Sequence, residues 1–155
     1  MSKQLLPGEV VAAAAAAAAF GAATGAVDEA AAAAFGVNRT DLRIIGTLHQ
    51  RGPLLAGQLA VSCGISPAAT STAIQRLVSS GHVTRAVDPD DQRRAVVAVT
   101  GAAVKRLEAI YGPVGKAGMA QLAEYDPAQL ALLTDFLRRG VALQLAQAER
   151  IRSLH

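Results

Sequence analysis

Apolar positions recur at a helical spacing along most of this chain. Residues 39–51 place Leu42, Ile45 and Leu48 on one face of a helix, and Asn38 stands where an N-cap is needed. The pattern predicts an amphipathic helix that buries this face in a core.

Two shorter helical segments follow, joined by a tight turn. The first is predicted from about Leu55 to Ser62, and Gly64 suits the left-handed residue that ends a helix. Ser66 and Pro67 are the favoured residue types at the N-cap and first position of the next helix, which we expect to end at Ser80. Two short helices with such a turn make a helix-turn-helix.

The periodicity changes after Gly81. Residues 82–87 and 95–99 are rich in β-branched side chains, and the polar stretch 88–92 between them favours a turn. We therefore predict a two-stranded β-hairpin, placed as the wing of a winged helix-turn-helix.

Long helical segments flank this region on both sides. The alanine-rich tract from Glu9 to about Phe35 favours one helix, or two broken near Gly21 and Gly25, with a frayed arm as the alternative. After the hairpin, a helix over about 102–121 contains Gly112-Pro113, which we expect to kink it. A last helix is predicted from Asp126 to about Ile151, with an apolar stripe at Leu130, Leu133, Leu137, Val141 and Leu145.

These elements predict a mainly α fold (α+β) in three parts. Residues 1–36 form an N-terminal helix, 37–100 the winged helix-turn-helix, and 101–155 the C-terminal helices. The stripe of the last helix fits a dimer seam and fits packing within the chain equally well.

Positive charge is concentrated in the central part. The chain has 155 residues and a net charge of +3. Residues 37–100 carry seven arginines and four aspartates, which accounts for the whole excess, while the rest of the chain sums to zero. A localised basic surface favours a polyanionic partner such as DNA.

The sequence gives little support to other classes of protein. A single cysteine, Cys63, excludes an internal disulfide and a cysteine-rich zinc site, and no glycine-rich phosphate loop or catalytic triad pattern occurs. The aspartates of 88–91 lack the ligand spacing of a calcium loop. The uncharged run 10–27 is nearly long enough to span a bilayer, but it has few large aliphatic residues. We expect no enzyme activity, cofactor, metal or membrane association, and a cytoplasmic location.

The central region resembles the multiple antibiotic resistance regulator (MarR) family of winged-helix proteins over about residues 36–105. The Asp91-Gln92-Arg93 element, set in a hairpin, is the most specific part of the resemblance. The alanine-rich first helix and the Gly112-Pro113 break depart from the family pattern. The other matching segments are Leu42-Arg43-Ile44-Ile45, Leu59-Ala60, Ile65-Ser66-Pro67, Leu77, Gly81-His82-Val83-Thr84-Arg85, Asp88-Pro89-Asp90, Arg94 and Val99-Thr100-Gly101.

The helix over 66–80 is predicted to enter the major groove of DNA. We expect Ala69, Ala73, Ile74 and Leu77 to face the core, and Gln75 to pair with adenine, although the same polar face also fits a merely solvated surface. The residues predicted to meet DNA on this helix are Ser66, Ala68, Ser71, Thr72, Gln75 and Arg76.

The wing supplies the other predicted contacts. Arg93 and Arg94 follow the turn, where a cationic side chain can enter the minor groove or bind phosphate, and the resemblance implies that Asp91 braces the wing. We expect Arg93→Ala to weaken operator binding strongly without unfolding the protein. A gel-shift titration at fixed salt checks this, and unchanged affinity would contradict it.

The resemblance also implies partners. Proteins similar to this family bind a near-palindromic operator as homodimers joined through their terminal helices, and many are repressors released by a small hydrophobic or phenolic effector. Two alternatives stay open: a winged helix that binds protein instead of DNA, and redox sensing through Cys63, which is otherwise a small buried apolar residue.

Overall fold

The computed structural model describes residues 7–88, 90–91 and 94–154. Over these residues the fold is mainly helical with one small sheet, which confirms the predicted fold class. The elements in chain order are α1 (Pro7–Phe35), α2 (Arg39–Arg51), β1 (Leu54–Leu55), α3 (Ala56–Cys63), α4 (Pro67–Ser79), β2 (Val83–Val87), β3 (Ala95–Val99), α5 (Gly101–Leu122) and α6 (Pro127–Arg152).

The helix ends are set by the local chemistry that the sequence predicts. The Asn38 side-chain oxygen accepts a hydrogen bond from the backbone N–H of Asp41 at 2.8 Å, and the Ser66 hydroxyl accepts one from Ala69 at 3.1 Å. Each bond satisfies an N–H that has no partner within its helix. Gly64 ends α3 with φ 62°, in the left-handed region that favours glycine.

The sheet has three strands, one more than predicted. Its order is β1-β3-β2, and Leu54 pairs with Val97 of the central strand. Leu55 therefore belongs to β1, and α3 begins at Ala56 instead of at Leu55. A two-residue strand is too short to show the alternation by which strands are recognised in a sequence.

The core lies where α2, α3 and α4 meet the sheet. Most of its side chains are aliphatic, in keeping with a sequence of only 3% aromatic residues. The largest fully buried apolar side chains are Ile44, Ile45, Leu48, Leu59, Ile74, Leu77 and Val97. This core fixes α4 against the rest of the winged helix, so the outer face of α4 is held on a rigid support.

The base of the hairpin is bonded to the helices on both sides of it. The backbone N–H of His82 donates to the Leu77 carbonyl at 2.9 Å, which joins the hairpin to the end of α4. The Thr100 backbone N–H donates to the His82 carbonyl at 3.0 Å and its hydroxyl to the Gly81 carbonyl at 2.9 Å. The same hydroxyl accepts from Ala103 N–H at 3.2 Å and so caps α5.

The end of α1 packs against this junction through Phe35. The Phe35 ring is buried and meets the His82 ring edge to face, with centroids 5.4 Å apart. The Arg106 guanidinium lies over the same ring at 5.2 Å and donates to the Ala34 carbonyl. A cation near the carboxyl end of a helix also stabilises the helix dipole.

Most of α1 is exposed in the single chain. It is one helix, continuous through Gly21 and Gly25, and the buried side chains among residues 8–35 are Ala31, Ala32 and Phe35. The segment Gly8–Phe35 is long and apolar enough to cross a membrane by length and composition. A helix with so few buried residues needs a further surface to pack against.

The chain divides into two compact units, Met1–Ile110 and Tyr111–His155. Helix α5 is continuous from Gly101 to Leu122 with Pro113 inside it. In the second unit, Asp126 caps α6 by accepting from Gln129 N–H at 2.8 Å. Helix α6, described along its whole length, has no buried residue.

Candidate nucleic-acid interface

Helix α4 has one buried and one exposed face. Thr70, Ala73, Ile74 and Leu77 are buried, whereas Ala69, which we expected to face the core, is exposed. The prediction was wrong at this position because it counted only apolar residues as facing the core and so left out Thr70. The Thr70 hydroxyl instead donates to the Ser66 carbonyl at 2.9 Å, and this bond satisfies its polar atom inside the fold.

The exposed face of α4 carries most of the residues that the sequence singles out. Ala68, Ser71, Thr72 and Gln75 are all exposed. The side chains of Ser71 and Gln75 make no hydrogen bond to the part of the chain that the structure describes. The Thr72 hydroxyl donates to the Ala68 carbonyl at 3.1 Å, and the hydroxyl oxygen of Thr72 can still accept a hydrogen bond. Short and polar side chains of this kind can approach the edges of bases closely.

Arg76 lies at the edge of this face and is bonded to Asp41 of α2. Its Nε and Nη2 atoms donate to the two carboxylate oxygens of Asp41 at 2.7 and 2.6 Å. The hydrogen bond to Asp41 and the charge of its carboxylate raise the pKa of the Arg76 guanidinium above its ordinary value, against the opposing effect of desolvation. The side chain as a whole is still 48% exposed.

Arg85 is a candidate interface residue that the sequence interpretation missed. It projects beside α4, where it lines a surface groove together with Ile74, Gln75, Val78 and Ser79. The signal was present in the strand alternation. Val83 is buried, and a residue two positions later lies on the same face of the sheet. Arg85 therefore adds a positive charge next to the predicted base-contacting side chains.

The wing is described only in part. Arg93 and Gln92 lie outside the described residues, so the predicted role of Arg93 stays a prediction. Arg94 is exposed, and its Nε lies 4.0 Å from Oδ2 of Asp91. The Arg94 N–H donates to the Asp91 carbonyl at 2.9 Å and its carbonyl accepts from Asp88 N–H at 2.9 Å. Asp91 thus contacts the wing backbone that carries Arg94.

Cys63 is buried at the end of α3. Its sulfur lies 3.6 Å from the Thr47 hydroxyl oxygen of α2. A thiol enclosed in this way behaves as a small apolar core residue, since oxidants and thiols act on accessible thiolates. The geometry favours the packing interpretation of Cys63 over the redox one.

Two comparisons of the sequence with known proteins indicate the same class of protein, a transcriptional regulator. A family model described as the MarR family matches residues 35–94. The HTH-type transcriptional regulator YcgE of Bacillus subtilis is 31% identical over 124 residues, which is 80% of each chain.

Solved structures of similar fold include RV1404 from Mycobacterium tuberculosis, with a TM-score of 0.70 and 19% identity over 92% of this chain and 97% of that one. A variant of Staphylococcus aureus MepR bound to an oligodeoxyribonucleotide has a TM-score of 0.57 and 15% identity, over 83% of this chain and 96% of that one. At these identities the likeness shows a shared fold.

Proposed function

This chain belongs to the MarR family of transcriptional regulators, and from that premise we propose that it binds double-stranded DNA as a homodimer at a near-palindromic operator. Helix α4 enters the major groove and the wing reaches the adjacent minor groove. The MepR variant bound to an oligodeoxyribonucleotide shows that a protein of this fold can hold DNA.

The outer face of α4 is the observation that carries this proposal. It combines exposed hydrogen-bonding side chains at Ser71, Thr72 and Gln75 with a buried face that fixes the helix. Small residues at Ala68 and Ala69 let the amino end of the helix come close to the duplex. In helix-turn-helix proteins this end of the recognition helix contacts the base edges.

Cationic side chains flank that face and supply contacts to the DNA backbone. Arg85 lies beside α4 in the groove with Gln75, and Arg94 lies on the wing. With Arg93 they form the proposed phosphate and minor-groove contacts. Such contacts fix the register of the protein on the duplex and make affinity depend on salt.

The dimer is proposed from the apolar surface of the helices outside the winged helix. Leu137, Val141 and Leu145 are each more than half exposed on α6, and so is Phe20 on α1. Leu130 and Leu133, at the start of the same stripe, are half-buried, so the exposed part of the stripe is its carboxyl-terminal part. Two copies related by a two-fold axis would bury the exposed side chains and present two recognition helices to a palindromic site.

The remaining parts of the proposal concern regulation and location. We propose a cytoplasmic repressor, without enzymatic activity or membrane association, which a small hydrophobic or phenolic molecule releases from DNA. The resemblance to the family supports this release. Competition between such molecules and a bound operator duplex tests it, and the proposal predicts a lower affinity for DNA when the effector is present.

Selection of bound duplexes from a random pool tests DNA binding directly. We expect enrichment of a near-palindromic site and a steep fall of affinity with salt for both selected and random duplex. A winged helix that binds only protein would enrich no sequence and would show no salt-dependent binding to random duplex.

Replacing Gln75 with alanine should relax the choice of base. A side-chain amide can pair with adenine through two hydrogen bonds, and such a contact contributes roughly 1 to 3 kcal/mol of discrimination. We expect Gln75→Ala to bind the selected duplex more weakly while its affinity for random duplex stays unchanged. Gln50→Ala, also exposed but at the end of α2, is the matched control. Equal losses on both duplexes would show that Gln75 does not read a base.

A further inference from the structure

Asp41 is a buried carboxylate whose binding partner lies on the recognition helix. It is 1% exposed, although aspartate is seldom buried unless it is paired. Both of its oxygens accept hydrogen bonds from Arg76, which lies 35 residues further along the chain. Asp41 is also in the first turn of α2, where the helix dipole favours negative charge. Burial and the dipole of α2 thus keep the Asp41 carboxylate in a fixed position.

This pairing fixes the plane of the Arg76 guanidinium. A bidentate contact through Nε and Nη2 restricts the rotation of a long side chain that would otherwise be mobile at a surface. A guanidinium has five N–H donors, so three remain once Asp41 is bound. These three have no acceptor in the part of the chain that the structure describes. The side chain that carries them is 48% exposed.

The position of Arg76 favours phosphate as the ligand of those donors. Arg76 is in the last turn of α4, whereas base edges are contacted mainly by the amino end of a recognition helix. Its side chain extends from α4 towards α2, away from the exposed face that carries Ser71 and Gln75. A planar guanidinium with free N–H groups matches the oxygens of a phosphodiester.

We propose that Asp41 is a positioning residue that orients Arg76 to bind a phosphate of the DNA backbone beside the recognition helix. The inference rests on the proposed DNA binding and deepens it. Arg76 then sets the register of α4 on the duplex without reading sequence, and Asp41 acts on DNA only through Arg76, since its own charge would repel the duplex.

The test compares Arg76→Ala, Arg76→Lys, Asp41→Asn and the double variant Asp41→Asn with Arg76→Ala. Each is titrated with the selected duplex and with random duplex of the same length at several salt concentrations, and circular dichroism confirms that each is folded. We expect Arg76→Ala to weaken both duplexes by the same factor and to lower the slope of log affinity against log salt by about 0.9, the value for one phosphate contact.

Asp41→Asn separates orientation from charge. We expect it to weaken both duplexes by about fivefold, the equivalent of roughly 1 kcal/mol for one misplaced hydrogen-bonded contact, with an unchanged salt slope because Arg76 keeps its charge. The double variant should bind no more weakly than Arg76→Ala. A role of Asp41 in stability alone would lower the melting temperature of Asp41→Asn and leave its affinity for DNA unchanged.

Three results would overturn the inference: wild-type affinity in folded Asp41→Asn, additive losses in the double variant, or a loss confined to the selected duplex, which would indicate contact with a base. If Asp41→Asn does not fold, Arg76→Lys provides the test, because lysine keeps the charge of arginine but lacks its planar fork. Wild-type affinity of the Arg76→Lys variant for DNA would then overturn the inference. A wild-type chain that binds neither duplex would instead refute the proposed DNA binding, and this inference with it.

Discussion

A chain that carries both Leu137→Glu and Val141→Glu is expected to be a monomer and to lose its affinity for a duplex with two half-sites. These side chains are 52% and 60% exposed in the single chain and lie one helical turn apart on α6. In the proposed dimer they are buried, and an unpaired carboxylate in an apolar interface costs several kcal/mol. Since each 1.4 kcal/mol is about a factor of ten, we expect dimer affinity to fall at least about a hundredfold.

The matched control places the same charges elsewhere on α6. Ala142 and Ala146 are exposed, and each lies five residues beyond one of the tested residues, about 140° around the helix at 3.6 residues per turn. We expect the Ala142→Glu, Ala146→Glu variant to remain a dimer and to bind DNA. Light scattering gives the mass, and gel shifts with full-site and half-site duplexes give the affinity. A dimeric Leu137→Glu, Val141→Glu variant would refute the proposed seam.

The winged helix should survive this change. No residue of α6 is buried in the single chain, so the two glutamates enter no packed core within it. The core of the DNA-binding part instead contains residues such as Ile45, Leu59 and Leu77, far from α6 in the sequence. We therefore expect the monomeric variant to keep its weak affinity for a half-site duplex, which separates loss of the dimer from loss of the fold.

Features that depend on local chemistry were predictable from the sequence. Asn38, Gly64 and Ser66 cap their helices because the hydrogen bond or the backbone angle involved lies within a few residues of each. The hairpin strands were predictable for a similar reason, since the β-branched runs and the polar stretch between them specify strand and turn directly. This local information was enough to place the recognition helix and the wing.

Features that depend on distant residues were not predictable. The pairing of Leu54 with Val97 and the bond from Arg76 to Asp41 join parts of the chain that only the folded core brings together. Arg76 therefore looked like a free cation on an outward face. The exposure of Leu137 and Val141 was also undetermined, because an apolar stripe has the same pattern whether it packs within one chain or between two.

The contacts of Phe35 also join residues that are distant in the sequence. They stabilise the first compact unit, Met1–Ile110. Phe35 ends α1, His82 directly precedes the hairpin and Arg106 belongs to α5, and the ring of Phe35 contacts both of the other side chains. His82 is in turn bonded through its backbone to the end of α4 and to Thr100. One buried ring thus holds together α1, α5 and the junction between the recognition helix and the wing.

Replacing Phe35 with alanine should lower the free energy of unfolding by about 3 to 5 kcal/mol, the usual cost of deleting a buried phenyl ring. Without the ring, the Arg106 guanidinium loses the aromatic face on which it rests, and His82 loses the ring that it meets edge to face. Phe35→Leu keeps most of the apolar volume and loses chiefly the aromatic contacts, so we expect a smaller loss, with about 0.5 to 1.5 kcal/mol from the lost aromatic pair. Urea unfolding at one fixed protein concentration, which holds the contribution of the dimer constant, measures both variants. Equal stability of Phe35→Ala and wild type would contradict the structural role of the ring, and equal losses in both variants would show that the aromatic contacts, more than the buried volume, stabilise this junction.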